Sequence, residues 1–562
     1  MPTSDPIPEI VWFKRDLRLA DHWPLAEAAR RGPVLGFYLY EPELLYSPEF
    51  EASHLVFINE SLRELREALR SRGGELLVRT GEAVAVLVEL QRQTRFARLW
   101  SHEETGNLIT FRRDQRVGRW CRETGIEWHE FRQDGVIRRL RSRDGWSEAW
   151  ERTMSLPCAT APARFGPGNF RFDPGDFLTP EAAGLGVATK REAQRGGEEA
   201  AWATLDSFLA GRGVNYRKEM SSPLTGWTAC SRLSPYLAWG CLSVRTVAQA
   251  SRQRREALAE ERLRGLPVDR RWFGSLTSFE ARLRWHCHFM QKLETEPGIE
   301  FSNFSAVYNG LREEFTESAE GQRRFQAWTE GCTGYPMIDA CIRSVRVTGW
   351  LNFRMRAMLV SFASYHLWLH WRPTSVWLAR HFLDFEPGIH FSQFQMQSGT
   401  TGINAVRIYS PAKQLIDQDP HGVFVRRWLP ELERVPVAFL AQPEKMPAEV
   451  QRRSSCRIGH EYPAPVVDHA QACREAKAKI SEVRRREDAR SEARRVYVTH
   501  GSRKRPSTGG ARAVRAEWRE RGLGTSRGKK KVAAADPARP LQMELFDSCL
   551  PDERIPPEIG AS

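Results

Sequence analysis

Arg354 and Arg356 stand inside an otherwise apolar run, 353–368. In that run Phe353, Ala357, Val360, Ser361, Ser364 and Trp368 recur at three- and four-residue steps, which predicts a helix with one continuous face. A guanidinium withdrawn from water is tolerated only where an anion and several acceptors meet it, so these two arginines require an acidic partner. Asp384 and Glu386 are the candidates, at the end of a second helix that Pro373 can start and Pro387 must stop. The chain that follows, to Pro411, is rich in Gly and Gln and has no strong period. This predicts a polar loop lining a ligand; a polar crossing between packed helices is the plainer reading of the same residues.

A second candidate site lies earlier. Tyr216 is followed by Cys230-Ser231-Arg232-Leu233-Ser234 ahead of a predicted helix. Hydroxyls and unpaired backbone N–H groups at a helix start attract anions, and Arg232 adds charge; an ordinary helix cap uses the same residues. Metal chemistry is not expected. The ten cysteines are scattered without a CxxC, Cys332 and Cys341 being the closest pair. His366 and His370 have the four-residue spacing of a metal pair, but they sit in an aromatic run with no acidic third ligand near in sequence. GxGxxG is absent, and Gly528-Lys529-Lys530 lacks the spacing and hydroxyl of a phosphate-binding P-loop.

Hydrophobic patterning supplies the elements that must position these groups. Buried-strand runs at 10–13, 34–39, 76–78, 98–100 and 126–128 alternate with helical segments, including one over 54–71. Such alternation predicts a doubly wound parallel sheet over residues 8–132. Ligands of open sheets sit at the carboxyl ends of strands, where Ser101-His102-Glu103-Glu104-Thr105-Gly106-Asn107 falls. Residues 133–200, rich in Pro, Gly and Arg, read as a connector, and helical patterning dominates 201–475. At 562 residues the chain exceeds one core, which agrees with two domains. No run approaches a membrane span and the first residues lack a signal-peptide pattern, so a cytoplasmic protein is expected. The net charge of +14 is uneven: 476–531 carries 19 Lys and Arg against 6 Asp and Glu. Residues 476–562 therefore read as a basic, mostly disordered tail, and nucleic-acid binding by the body must be argued locally.

The opening Trp12-Phe13-Lys14-Arg15-Asp16-Leu17-Arg18-Leu19-Ala20-Asp21 resembles the first strand and Arg-Asp-Leu-Arg turn of the cryptochrome/photolyase family. Cys332-Thr333-Gly334-Tyr335-Pro336 is similar to that family's Thr-Gly-x-Pro turn, and 349–411 resembles its flavin pocket, with a tryptophan-rich helix, an Arg–Asp pair and a polar loop. The resemblance spans residues 8–475. It implies that Tyr216, Cys230, Ser231, Arg232, Leu233 and Ser234 hold the phosphates of FAD. It implies further that Arg356 and Asp384 pair beside the flavin, with Phe385, Glu386 and His390 around it. His390 falls where photolyases carry an asparagine. Trp285 matches the tryptophan that stacks on a flipped lesion, while Arg282 replaces a glutamate of the pyrimidine-dimer enzymes. His286, Phe353, Arg354 and Lys413 lie on the implied DNA side. Trp371 matches the middle member of the tryptophan chain that reduces the flavin; Phe394 takes the proximal place, and Trp368 and Trp377 offer another path.

The resemblance thus implies an α/β N-terminal domain and an all-α C-terminal FAD-binding domain that splits ultraviolet-induced pyrimidine dimers with light. An antenna chromophore of open identity, damaged DNA as partner and a monomeric state accompany it. A blue-light receptor that binds FAD without repair is the rival, and a basic DNA-binding protein without photochemistry a third reading. Near the C-terminus, Gln542-Met543-Glu544-Leu545-Phe546 resembles the pentapeptide by which bacterial repair proteins dock on the sliding clamp, with Gln542, Leu545 and Phe546 as anchors.

Overall fold

The computed structural model describes residues 7–166 and 172–502. Five strands, β1 (Glu9–Phe13), β2 (Val34–Tyr40), β3 (Glu75–Thr80), β4 (Arg98–His102) and β5 (Glu127–Phe131), form one parallel sheet in the order β3-β2-β1-β4-β5. β1 and β2 are buried at every position, as strands covered on both faces must be. Side-chain alternation sorts β1 between two cores: Val11 and Phe13 join Leu25 and Leu55, while Ile10 and Trp12 join Leu87 and Val117.

The first of these cores does not stop at the sheet. It continues through Leu205, Phe208, Tyr236 and Phe279 of the helical part, so one apolar mass joins the domains. The Arg15-Asp16-Leu17-Arg18 turn is the polar half of the junction. Arg15 Nε donates to Ala238 O (2.8 Å) and Nη2 to Phe385 O (2.6 Å), Arg18 Nη1 donates to Gly240 O (2.9 Å), and Leu17 N donates to Trp239 O (3.2 Å). Asp16 stays inside, accepting from His22 and His102 at 3.0 and 2.7 Å. The connector includes the helix Trp146–Met154, and its last part ties back to the sheet domain where Glu198 accepts from Leu19 N and Ala20 N.

Eight helices matter below: α1 (Ser234–Ala238), α2 (Arg271–Thr295), α3 (Phe353–Ser361), α4 (Trp371–His381), α5 (Pro387–Ser398), α6 (Pro411–Gln418), α7 (His469–Arg485) and α8 (Glu487–His500). Three expectations are corrected here. The helix expected over 353–368 ends at Ser361, and the chain continues as a π-helical turn, Phe362–His366. Pro387 does not close a helix before a polar loop; it is the first residue of α5, where its missing N–H costs nothing. α5 shows no period because nearly all of it is buried, and a helix covered on all sides has no polar face to reveal it. The basic tail expected to be mostly disordered from 476 is helical to His500. Ala476, Ile480 and Val483 of α7, with Ala493, Val496 and Tyr497 of α8, are buried against the body. Charge outnumbers these apolar positions in the sequence, but they recur at helical spacing. The remaining basic residues and the 542–546 motif lie outside the described residues.

Gly240 (φ +69°) fixes the domain junction: a Cβ there would lie 2.1 Å from Arg15 O and 2.5 Å from Asp16 Cα. Left-handed backbone costs a side chain about 1–2 kcal/mol and forced overpacking about 1–3 kcal/mol. Gly240→Ala is therefore expected to destabilise the protein by about 2–4 kcal/mol, read as a lower unfolding midpoint, with limited proteolysis cutting first between the domains. An unchanged midpoint would show that the turn does not carry the junction.

Candidate functional site

Three helices each turn one face to a common cavity of about 920 Å³, within the range of roughly 300–1,000 Å³ usual for ligand pockets. α2 contributes Arg282, Trp285, His286 and Phe289; α3 contributes Phe353, Arg354, Arg356 and Val360; α5 contributes Ile389, His390, Gln393, Phe394 and Gln397. The steps of three and four residues on each helix explain how distant segments of sequence meet at one place. α5 can approach α2 because Gly388 lies against it: a Cβ there would sit 2.6 Å from Met290 Cα.

The expected ion pair is present. Arg356 Nη1 and Nη2 donate to Asp384 Oδ1 and Oδ2 at 2.9 and 2.8 Å, a bidentate pair, and Arg356 Nε donates to Leu351 O at 2.7 Å. The guanidinium also lies 4.0 Å from the centre of the Phe382 ring. Burial works to raise the Asp384 pKa, but the Arg356 charge and hydrogen bonds, Ser234 among them, hold it below the ordinary value. The carboxylate is ionised and already satisfied.

Arg354, two residues before Arg356, is not satisfied. It is 5% exposed, yet its Nε and Nη2 have no hydrogen-bond partner. The same holds for Arg232 Nη1, Gln393 Oε1 and Gln414 Oε1, all in residues that line the cavity. Arg232 adopts φ +63° and packs against both the Trp227 and Trp350 rings at 4.0 and 3.9 Å, and burial brings its pKa down to about 9. α1, beside it, is only five residues long, so the charge at this end comes from Arg232 rather than from a helix dipole. Seven cationic side chains line the cavity against two acidic ones. Buried donors without partners in a cationic cavity fit a polyanionic occupant such as a flavin dinucleotide, whose pyrophosphate and ring carbonyls offer acceptors.

His390 is buried, its pKa is lowered to about 3 by desolvation, and its Nε2–H donates to Ser375 O at 2.8 Å. That bond fixes the neutral tautomer with Nδ1 as an acceptor. Glu386 lies 3.8 Å from Arg15 and burial pushes its carboxyl up to about 7. Trp285 is half-buried, with ring centroids 5.5 Å from Phe289 and 4.8 Å from His288.

Of the residues expected from sequence, Tyr216, Cys230, Ser231, Ser234, Arg282, Trp285, His286, Phe353, Arg354, Arg356, Asp384, Glu386, His390 and Lys413 border this cavity together with Arg232. Leu233 does not: it is fully buried in the apolar core, because the tight turn alternates its neighbours outward. Phe385 instead borders the interdomain cleft with Arg15 and Trp239. Trp371 is fully buried beyond Phe391, its Nε1 donating to Asn303 Oδ1 at 2.8 Å. Phe394, His390, Phe391 and Trp371 form a file of rings with successive centroid distances of 4.5, 5.6 and 6.4 Å. Trp368 packs away from it on Arg312 and Lys479, and Trp377 on Trp328 and His381. Sequence reading missed Asn352, whose Nδ2 holds the Met220 and Ser221 carbonyls, and Gln393, Gln397, Arg407 and Lys477 on the lining. The Gln residues were legible as polar positions of a helix, had α5 been read as one.

Comparison with known proteins shows the family. Residues 9–142 match the family model described as DNA photolyase, and 279–482 match the FAD binding domain of DNA photolyase. The chain is 27% identical over 483 residues to a cryptochrome DASH of Gloeobacter violaceus, covering 82% of this chain and 93% of that one. It is 29% identical over 486 residues to a deoxyribodipyrimidine photo-lyase of Streptomyces griseus, covering 82% and 97%. In fold it is similar to the crystal structure of a bacterial class III photolyase from Agrobacterium tumefaciens, with TM-score 0.74 and 24% identity, covering 86% of this chain and 99% of that one.

Removing one partner of the Arg356–Asp384 pair strands a buried charge, at about 3–5 kcal/mol. Asp384→Asn and Arg356→Ala are each expected to purify with depleted FAD, read from flavin absorbance per chain; full flavin content in both would refute the assignment of this cavity. Glu386 has a folded pKa raised above its unfolded value, so the native state holds the proton longer and stability falls as pH rises from about 4.5 through 7. The difference in unfolding midpoint between Glu386→Gln and the parent is expected to grow in favour of the variant across that window. A flat difference would place the carboxyl in an ordinary environment.

Proposed function

Because the chain belongs to the cryptochrome/photolyase family, we propose that it is a light-driven DNA repair flavoprotein acting on ultraviolet-induced pyrimidine dimers. One observation carries the reading: Trp285, suited to stack on an extruded base, borders the same cavity as the Arg356–Asp384 pair that would seat the flavin. Reduced FAD, when bound, supplies a light-excited electron that splits the dimer crosslink and then returns, leaving no net redox change. The protein's residues supply placement and field. Arg356 is anchored by Asp384 and Leu351 O, so its charge stays fixed beside the flavin seat, while Arg354 and Arg232 bring donors for phosphate or ring oxygens. Arg407, Lys413 and Lys477 add positive charge to the lining, as an entering DNA backbone requires. The half-buried Trp285, supported from below by Phe289, presents an aromatic surface to an extruded base.

The substitution of Arg282 where dimer photolyases carry a glutamate favours a second reading, a blue-light receptor that binds FAD without repair. Cryptochromes stand among the relatives as well. An antenna chromophore is a separate matter. The cleft at the carboxyl ends of β1 and β2, bordered by Tyr38, Tyr40, Glu104, Gly106 and Asn107, holds about 90 Å³, far below the roughly 300 Å³ of a small ligand pocket. Among the described residues no helix is long and apolar enough to cross a membrane; with the reading above, we place the protein in the cytoplasm as a monomer that reaches the sliding clamp through Gln542, Leu545 and Phe546.

Near-ultraviolet light is expected to restore dimer-containing oligonucleotides when purified protein is present, and Trp285→Ala to weaken binding of damaged DNA by about 1–3 kcal/mol with flavin content intact. Equal affinity of the parent for damaged and undamaged DNA, with no restoration, would move the protein to the receptor class.

A further inference from the structure

Outside the cavity, one cluster of ligating side chains is used by nothing described above. The π-helical turn after α3 brings the fully buried His366 against the first turns of α7. His366 Nε2 lies 2.8 Å from His469 Nδ1, and Cys473 Sγ lies 3.6 Å from His366 Nε2 and 3.9 Å from His469 Nδ1. His469 and Cys473, four residues apart on one helix, point the same way. All three ligand atoms fall within 4.8 Å of one another. The sequence does not suggest this group, because its third and second members stand 107 and 103 residues from His366. The pair that spacing does suggest is not formed: His370 instead caps α4 and faces Glu313 at 3.7 Å.

We propose that His366, His469 and Cys473 are a three-ligand site for a single Zn²⁺-type divalent cation. Metal–nitrogen and metal–sulfur bonds of about 2.0–2.1 and 2.3 Å place tetrahedral ligands roughly 3.3–3.6 Å apart, so the triangle needs shifts of only about half an ångström. Two imidazoles and a thiolate are the donor set such an ion prefers, and the partly exposed side formed by His469 and Cys473 leaves the fourth position to water. A plain imidazole–imidazole hydrogen bond accounts for two of the atoms and leaves the thiol only long sulfur contacts of 3.6 and 3.9 Å. A bound ion would pin α7 to the π-helical turn. Each of these elements adjoins a cavity wall: Lys477 lies one turn beyond Cys473, and α3 runs directly into the turn. The cation would thus hold the cavity's C-terminal wall in place.

The test uses the full-length flavoprotein, stripped with chelator and titrated with Co²⁺. The proposal expects one equivalent bound, with the intense red-region d–d bands of tetrahedral cobalt, which lie clear of flavin absorption. Cys473→Ser should lose the thiolate-to-cobalt band, and His469→Gln should weaken binding about tenfold or more. Both positions are partly exposed, so the folds should survive, which far-ultraviolet circular dichroism checks. Zn²⁺ should raise the unfolding midpoint of the parent and not of Cys473→Ser. Absence of stoichiometric tetrahedral cobalt, or the same spectrum and affinity in both variants, would overturn the site.

Discussion

A carboxylate and a guanidinium facing each other where water does not reach set the terms for everything around them. Asp384 is buried, so its charge persists only because Arg356 grips both oxygens and Ser234 adds a further bond. That requirement fixes the end of the chain segment after α4 against the middle of α3. Arg356 is in turn oriented by Leu351 O and by the Phe382 ring, so its position depends on the turn before α3 and on the loop after α4 together. A shift of either element by an ångström would break bidentate geometry, and with it the balance that keeps a charge inside the protein.

Around this settled pair the cavity is conspicuously unsettled. Arg354 and Arg232 keep buried donors without partners, and Gln393 and Gln414 keep buried acceptors. Native interiors contain few such atoms, since each carries a desolvation cost of about 1–3 kcal/mol. Those on the cavity lining are the atoms that a ligand with its own acceptors and donors would satisfy. The cations outnumber the acids on that surface, which selects for an anion, and the charge of Arg356 is already answered by Asp384.

Much of this was legible in the sequence, and what was not has a physical reason. The sheet could be read because buried parallel strands are continuous apolar runs, and Arg354, Arg356 and Asp384 because charge inside an apolar period demands explanation. α5 could not, because a helix buried all round has no period and begins with a proline that also reads as a stop. Leu233 was swept into the site by its neighbours, although turn geometry sends it to the core. α7 and α8 were hidden by composition: Ala476, Ile480, Val483 and Val496 are too few among arginines to lift the local hydropathy, yet correctly spaced to dock.

That docking changes what the C-terminal part of the body does. Were 476–500 a loose basic arm, Lys477 would contribute only diffuse attraction, screened within about 10 Å at ordinary ionic strength. Held on α7, it stands at a fixed place on the wall of the cavity that Arg282 and Trp285 also line. Arg484, on the same helix, donates to Asn404 O, and so ties α7 to the segment 405–410 that closes the cavity between α5 and α6. Ala493 of α8 packs close to Gly402 at the near end of that segment. α7 and α8 therefore act as a clamp on the least regular part of the lining. Their apolar faces, rather than their charge, let the chain from Thr401 to Ser410 serve as a wall.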